Sequence, residues 1–278
     1  MVGPRHTLRR TRARSAVRYG FAVIAAQPFG TGPTVGGPRP WGFRHIAVGF
    51  LASQFASLAA LTLVIRSAPV GAALGVAIAG HVTDQNLTVL AGQTQTAMAL
   101  VLLPLWVTQL AVVGYVTWGR GVGPRREIGL AVKAIDALVG IGLGLAAQAG
   151  VWALYQVLTR FSGDLQVDEP ARQLTGRAAG GGVLALFLLY AFVAPFVEEL
   201  FFRGLLLRAL EARLRRLLAL LASAVIFAAA HFQLVQFPGL IIAGLAFGAA
   251  AQWRGRLGTA VFAHATFNAL TVASLVLH

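Results

Sequence analysis

About seven apolar runs, near 46–66, 97–118, 131–158, 183–209, 217–236, 238–253 and 257–277, limit what this chain can fold into. A helix rises 1.5 Å per residue, so about 20 apolar residues cross the hydrocarbon core of a bilayer. Inside that core each backbone N–H and C=O must be paired within the protein, and a helix does this by itself. Charged residues make up 12% of the chain and hydrophobic ones 57%, whereas soluble domains are usually about 25% charged. The reading is an all-α fold, a polytopic transmembrane helical bundle of about seven or eight spans. The eighth is the stretch 67–80, a short apolar piece that reads either as re-entrant or as a weak span.

The formal net charge of +14 would point to nucleic acid in a soluble protein. Its distribution fits a membrane protein better. With the N-terminus inside, all of the 23 Lys and Arg fall on inner segments except Arg66, Arg160, Arg172 and Arg177. That asymmetry follows the positive-inside rule and predicts a cytoplasmic N-terminus, a multi-pass protein of the cell membrane and no nucleic-acid partner. With seven spans the C-terminus lies outside. The chain has no Cys, which excludes disulfides, thiolate metal sites and a cysteine nucleophile.

Three regions follow. Residues 1–40 are Arg-rich and contain no acid, as expected of a disordered cytoplasmic arm held near anionic headgroups. Residues 41–180 are N-terminal membrane helices. They carry Gly140, Gly142, Gly144 and Gly150, suited to close helix packing, and a mixed-charge outer loop over 159–179. Asp136 sits near a span entrance and is expected to bond locally. Residues 181–278 hold the polar groups with chemistry.

Glu198 and Glu199 interrupt the apolar run from Ala194 to Arg203. An ionised side chain at mid-bilayer costs ~2.5–3.5 kcal/mol on insertion scales, so two adjacent carboxylates need a reason. Phe227 with His231, and His264 with Asn268, repeat at i,i+4 spacing in later apolar segments. Counting from the basic turn Arg213–Arg216 puts Glu198 about 20 Å deep and His231 about 21 Å deep. His264 and Asn268 come out at roughly 10 and 16 Å, a looser match. All four are expected to meet in a buried cavity.

A carboxylate removed from water holds its proton more tightly, which suits a general base toward water. Glu198 is assigned that role, with His231 sharing the water or passing its proton to a leaving amine. His264 and Asn268 on one helical face can donate to a developing oxyanion. Arg203 follows Glu199 by four residues and is assigned to pair with it, leaving Glu198 free. Pro195 is expected to kink its helix and free the carbonyl of Ala191. A zinc ion is the competing use of these groups, since Glu198, His231 and His264 form a His2Glu set like that of catalytic zinc sites. The His-Glu-x-x-His zinc helix is absent and Asn268 suits an oxyanion better than a metal. The metal-free reading is therefore favoured, and Zn2+ stays open as the alternative cofactor.

The motifs Glu198-Glu199 to Arg203, Phe227 to His231, and His264 to Asn268 resemble, in order, the signature of the CPBP superfamily of intramembrane proteases. These are the type II CAAX prenyl endopeptidases and the bacterial "Abi" proteins linked to bacteriocin processing and self-immunity. The resemblance covers about residues 183–270. It implies an all-helical membrane fold with a cavity open to the cytosolic leaflet. It also implies that Glu198 and His231 activate water and that His264 and Asn268 stabilise the oxyanion. The family has been described both as metalloproteases and as glutamate-dependent. The partners implied are the lipid bilayer and a peptide or protein substrate, lipid-modified in the eukaryotic members and bacteriocin-like in some bacterial ones. Two other classes share the features: a non-catalytic membrane adaptor or immunity protein of the same fold, and a small transporter relaying protons through Glu198 and His231. The two halves show no repeat, which counts against an inverted-repeat transporter.

Overall fold

The computed structural model describes residues 42–66, 102–163, 165, 184 and 187–277. The basic arm 1–40 and the ambiguous stretch 67–80 lie outside the described residues, as does most of the outer loop 159–179. Among the described residues the regular structure is helical throughout: α1 (Phe43–Arg66), α2 (Leu102–Gly119), α3 (Pro124–Glu127), α4 (Ala134–Ser162), α5 (187–211), α6 (Arg216–Ala229), α7 (Phe237–Arg254) and α8 (Gly258–Leu277). Within them, three segments are long and apolar enough to cross a membrane: Phe43–Leu63, Leu102–Gly119 and Ala134–Ser162. The fold is an all-α bundle of membrane type.

The axis of the bundle is α5, which is irregular in a patterned way. It winds as a π-helix over Leu189–Val193, as an α-helix over Ala194–Glu198, as a π-helix again over Glu199–Leu207, and closes with Arg208–Glu211. Every residue from Glu199 to Leu210 is buried. Phe201, Phe202, Leu205 and Leu207 join Ile46 of α1, Val113 and Val116 of α2, Phe227 of α6 and Phe247 of α7 in one apolar core. A helix buried on all sides needs apolar residues on every face, and the run Leu200–Phe202 with Leu205–Leu207 provides them.

The run read as one span over 217–236 divides. α6 stops at Ala229, and the last amides tighten to three-residue bonds, His231 N–H to Ala228 O (3.3 Å) and Phe232 N–H to Ala229 O (3.1 Å), as helix ends commonly do. Phe232 takes a positive φ of 54°, a costly backbone state for a bulky residue. Pro238 then opens α7 in its first turn, where its missing N–H is harmless. His231 thus lies in the turn between two helices rather than inside one. Tyr155 of α4 fastens this turn, its hydroxyl donating to Val235 O at 2.6 Å.

α8 makes its broadest contact with α4, and the sequence shows why. A Cβ built on Gly140 would stand 2.5 Å from the Phe262 Cβ, and one on Gly144 2.5 Å from the Ala263 carbonyl oxygen. These two glycines, four apart on one face, let the backbones touch. Gly142 has nothing within 4 Å of such a Cβ and faces away.

Asp136 does more than bond locally. It accepts from the Lys133 amide at 2.8 Å, as expected, but also from Thr259 Oγ1 (2.7 Å) and from Arg256 through Nε and Nη2, both at 2.7 Å. The bidentate guanidinium fork satisfies a fully buried carboxylate and ties the start of α4 to the α7–α8 turn. That pairing was hidden from local spacing because its partners are more than 100 positions away in the chain.

Replacing Gly144 by Leu is expected to cost ~1–3 kcal/mol through overpacking, read as a fall of several degrees in the melting temperature of the detergent-solubilised protein. Gly142→Leu serves as the control and should leave that temperature nearly unchanged.

Candidate functional site

α5 carries both carboxylates on successive residues, so they point to different neighbours. Glu199 is fully buried, and its Oε1 lies 2.8 Å from Arg203 Nη1, one helical turn later. The same Oε1 is 2.9 Å from His264 Nδ1 on α8. Arg203, only 1% exposed, also donates from Nη2 to the Gly244 carbonyl of α7 at 3.2 Å. Its guanidinium sits 4.2 Å above the centre of the Phe227 ring, a cation–π contact strengthened by exclusion of water. The close approach of α7 to α6 at Gly244 permits this: a Cβ there would lie 3.1 Å from Ala224 Cα. Arg203 is therefore a core ion rather than one of the inner-surface charges. The expected pairing with Glu199 is present; that His264 shares the carboxylate had no motif to mark it.

Glu198 turns the other way and keeps some exposure. Its Oε2 is 3.9 Å from His231 Nε2 and 3.9 Å from His264 Nε2. Each imidazole has its other nitrogen committed. His231 Nδ1 is 2.8 Å from the Phe227 carbonyl oxygen; a carbonyl can only accept, so Nδ1 bears the proton. His264 Nδ1 faces the carboxylate that Arg203 neutralises, and donates for the same reason. Both Nε2 atoms are thereby left to the space in front of Glu198. A polar separation beyond 3.5 Å between such groups is one that a bridging water can close.

Phe227 holds both imidazoles, with ring centroids 4.7 Å from His231 and 5.8 Å from His264. Phe247 stacks on His264 at 4.6 Å and 20°. The i,i+4 relation of Phe227 to His231 was legible, whereas Phe247 belongs to a different helix and had no motif to mark it.

Asn268 is brought to the same helix but by another route. Its Nδ2 donates to the Tyr190 carbonyl at 2.8 Å. Pro195 is expected to free the carbonyl of Ala191, the i−4 position in the α-register of Ala194–Glu198; the π-helix before it adds a second carbonyl. The Ala194 N–H reaches back five positions to Leu189 O, so in this π-register the donor that Pro195 lacks is the one owed to Tyr190.

The donor types of Glu198, His231 and His264 suit a divalent ion, since imidazole ligands characteristically give their second N–H to a carboxylate or carbonyl. Their 3.9 Å spacing is wider than the roughly 3.3 Å between ligands of a tetrahedral zinc with ~2.05 Å bonds. Among the described residues no group of three His, Asp or Glu is arranged to hold a metal ion.

Removing Arg203 would strand Glu199 as a buried, uncompensated charge. Arg203→Met is expected to destabilise by ~3–5 kcal/mol, measured by denaturant or thermal unfolding in detergent. Adding Glu199→Gln to Arg203→Met should recover a large part of that loss, because no unpaired ion then remains.

Residues 180–270 match the family model described as type II CAAX prenyl endopeptidase Rce1-like. The match covers about a third of the chain and holds Glu198, His231, His264 and Asn268. Searches of curated proteins and of solved structures each gave no match.

Proposed function

We propose that this protein is a CAAX-type intramembrane endopeptidase that hydrolyses a peptide bond of a membrane-associated substrate. The observation that carries the reading is the convergence of two imidazole Nε2 atoms on Glu198 Oε2, each at 3.9 Å with its Nδ1 already bonded. Such a constellation can hold and polarise one water.

In the reaction, Glu198 takes a proton from the water as general base while the water oxygen attacks the scissile carbonyl carbon. His231, on its exposed turn, borders the same water and passes the proton on to the leaving amine as the C–N bond breaks. The oxyanion formed in between accepts hydrogen bonds from His264 Nε2 and from the second N–H of Asn268. Donation from Nε2 requires the imidazolium form of His264, whose Nδ1 is bonded to Glu199 as a triad carboxylate is to its histidine. In the alternative use of these groups, Glu198, His231 and His264 would close in to hold a zinc ion, which would supply Lewis-acid chemistry.

The substrate class is a membrane peptide or protein, with lipidated and bacteriocin-like precursors as its natural members. The orientation that goes with it is multi-pass, with the N-terminus cytoplasmic by the positive-inside rule.

Glu198→Gln keeps the size of the side chain and removes the base. It is expected to lower turnover by ~10²–10⁴-fold, with His231→Ala of the same order. Mapping N- and C-terminal peptides in membranes from cells expressing wild type or either variant tests this. New termini found only with wild type support proteolysis and identify the substrate; identical maps at equal folded expression overturn it. On the metal-free mechanism a zinc chelator leaves turnover unchanged, whereas chelator inhibition reversed by added zinc would select the metal route.

A further inference from the structure

We infer that Pro195 is a positioning residue for Asn268: by withholding a backbone N–H it leaves the Tyr190 carbonyl open to the Asn268 amide. This rests on the reading above, in which Asn268 serves the oxyanion, and adds a residue that neither the motifs nor the chemistry of the site assigns.

The register of α5 makes the case. Through Leu189–Val193 the helix is a π-helix, and its last amide, Ala194 N–H, bonds Leu189 O five residues back. The next bond in that register would run from residue 195 to Tyr190 O. Proline has no hydrogen to give, and a buried carbonyl without a donor is unfavourable. Asn268 Nδ2 lies 2.8 Å from that oxygen, in place of the missing amide. The bond joins α8 to α5 at Tyr190, eight residues before Glu198, at the carbonyl one π-turn ahead of Pro195.

This bond fixes Asn268 where packing by itself would leave freedom. A side-chain amide has two rotatable torsions and can swing among several partners. With one N–H committed to Tyr190, the plane of the amide is set and its second N–H has one direction. Asn268 and His264 share a face of α8, so holding the amide also holds it in step with the imidazole. An amide at position 195 would compete for Tyr190 O with no loss of side-chain entropy and would release Asn268.

The test uses the full chain in detergent with selective 15N labelling of asparagine. The sequence contains two asparagines, Asn86 and Asn268, so the side-chain amide spectrum holds two pairs of signals, and Asn268→Ala assigns them. In the wild type, one Asn268 Nδ2 proton is expected to be displaced downfield and slow to exchange with solvent. In Pro195→Ala that displacement and protection should be lost while the melting temperature shows the chain still folded. With a peptide substrate in hand, Pro195→Ala should lower kcat by about tenfold or more, with KM changed less than about twofold. Combined with Asn268→Ala it should add little, because both variants remove one interaction.

Unchanged Asn268 signals in Pro195→Ala would overturn the inference. So would released Asn268 signals with unchanged kcat, or fully additive losses in the double variant. If Pro195→Ala does not fold, Pro195→Gly, which restores the same N–H, replaces it in both measurements. A wild-type protein that cleaves no peptide would sink the protease reading instead, and the amide spectrum would still decide whether Pro195 controls the Asn268 bond.

Discussion

Glu199 carries charge where neither lipid nor apolar side chains can solvate it, and the site is arranged around its neutralisation. A carboxylate in that position is held by a guanidinium at 2.8 Å and an imidazole at 2.9 Å, both on the same oxygen. The pair need not stabilise the fold, because desolvating two ions costs several kcal/mol each. What it does is specify an arrangement. Arg203 reaches α7 through Gly244 O and α6 through the Phe227 ring, and His264 brings in α8. Four helices are registered on one buried ion pair, and any slip leaves a charge uncompensated.

The consequence for Glu198 is one of division of labour between adjacent residues. Glu199 absorbs the structural demand, so Glu198 is left facing two imidazole nitrogens across a gap that a water can fill. His231 meets it from a turn and not from a helix. The turn is built by an early end to α6, a positive φ at Phe232, the proline at the start of α7 and the Tyr155 bond. A side chain fixed at a turn keeps contact with the surroundings while its neighbour His264, on α8, is buried. The two histidines thus face one carboxylate from unlike environments.

Much of the site was legible because its parts recur at helical spacing. Glu199 with Arg203, and Phe227 with His231, are separated by one turn, and their contacts follow from geometry that any helix shares. The depth count from Arg213–Arg216 put Glu198 and His231 at similar heights, and their side chains lie 3.9 Å apart. It was looser for His264, whose depth depends on where α8 starts, and that is fixed by Asp136 holding Arg256 and Thr259. The local reading of Asp136 captured its bond to Lys133 and missed the rest. A residue's spacing predicts its neighbours along the helix and says nothing about a partner on another.

The sequence by itself determined that the chain is helical and of membrane type, that the polar groups read as chemical gather after residue 183, and that Glu199 would take Arg203. These follow from composition and from intervals of three to four residues, which are properties of one segment at a time. Only the tertiary structure decided that His264 shares Glu199, that Phe247 stacks on that imidazole, and that Asn268 closes the carbonyl opened by Pro195. It also decided the winding of α5, where two π-helical stretches move each later side chain around the axis relative to an α-helix. Whether a residue sits in α or π register depends on what packs against it, and that partner lies elsewhere in the chain.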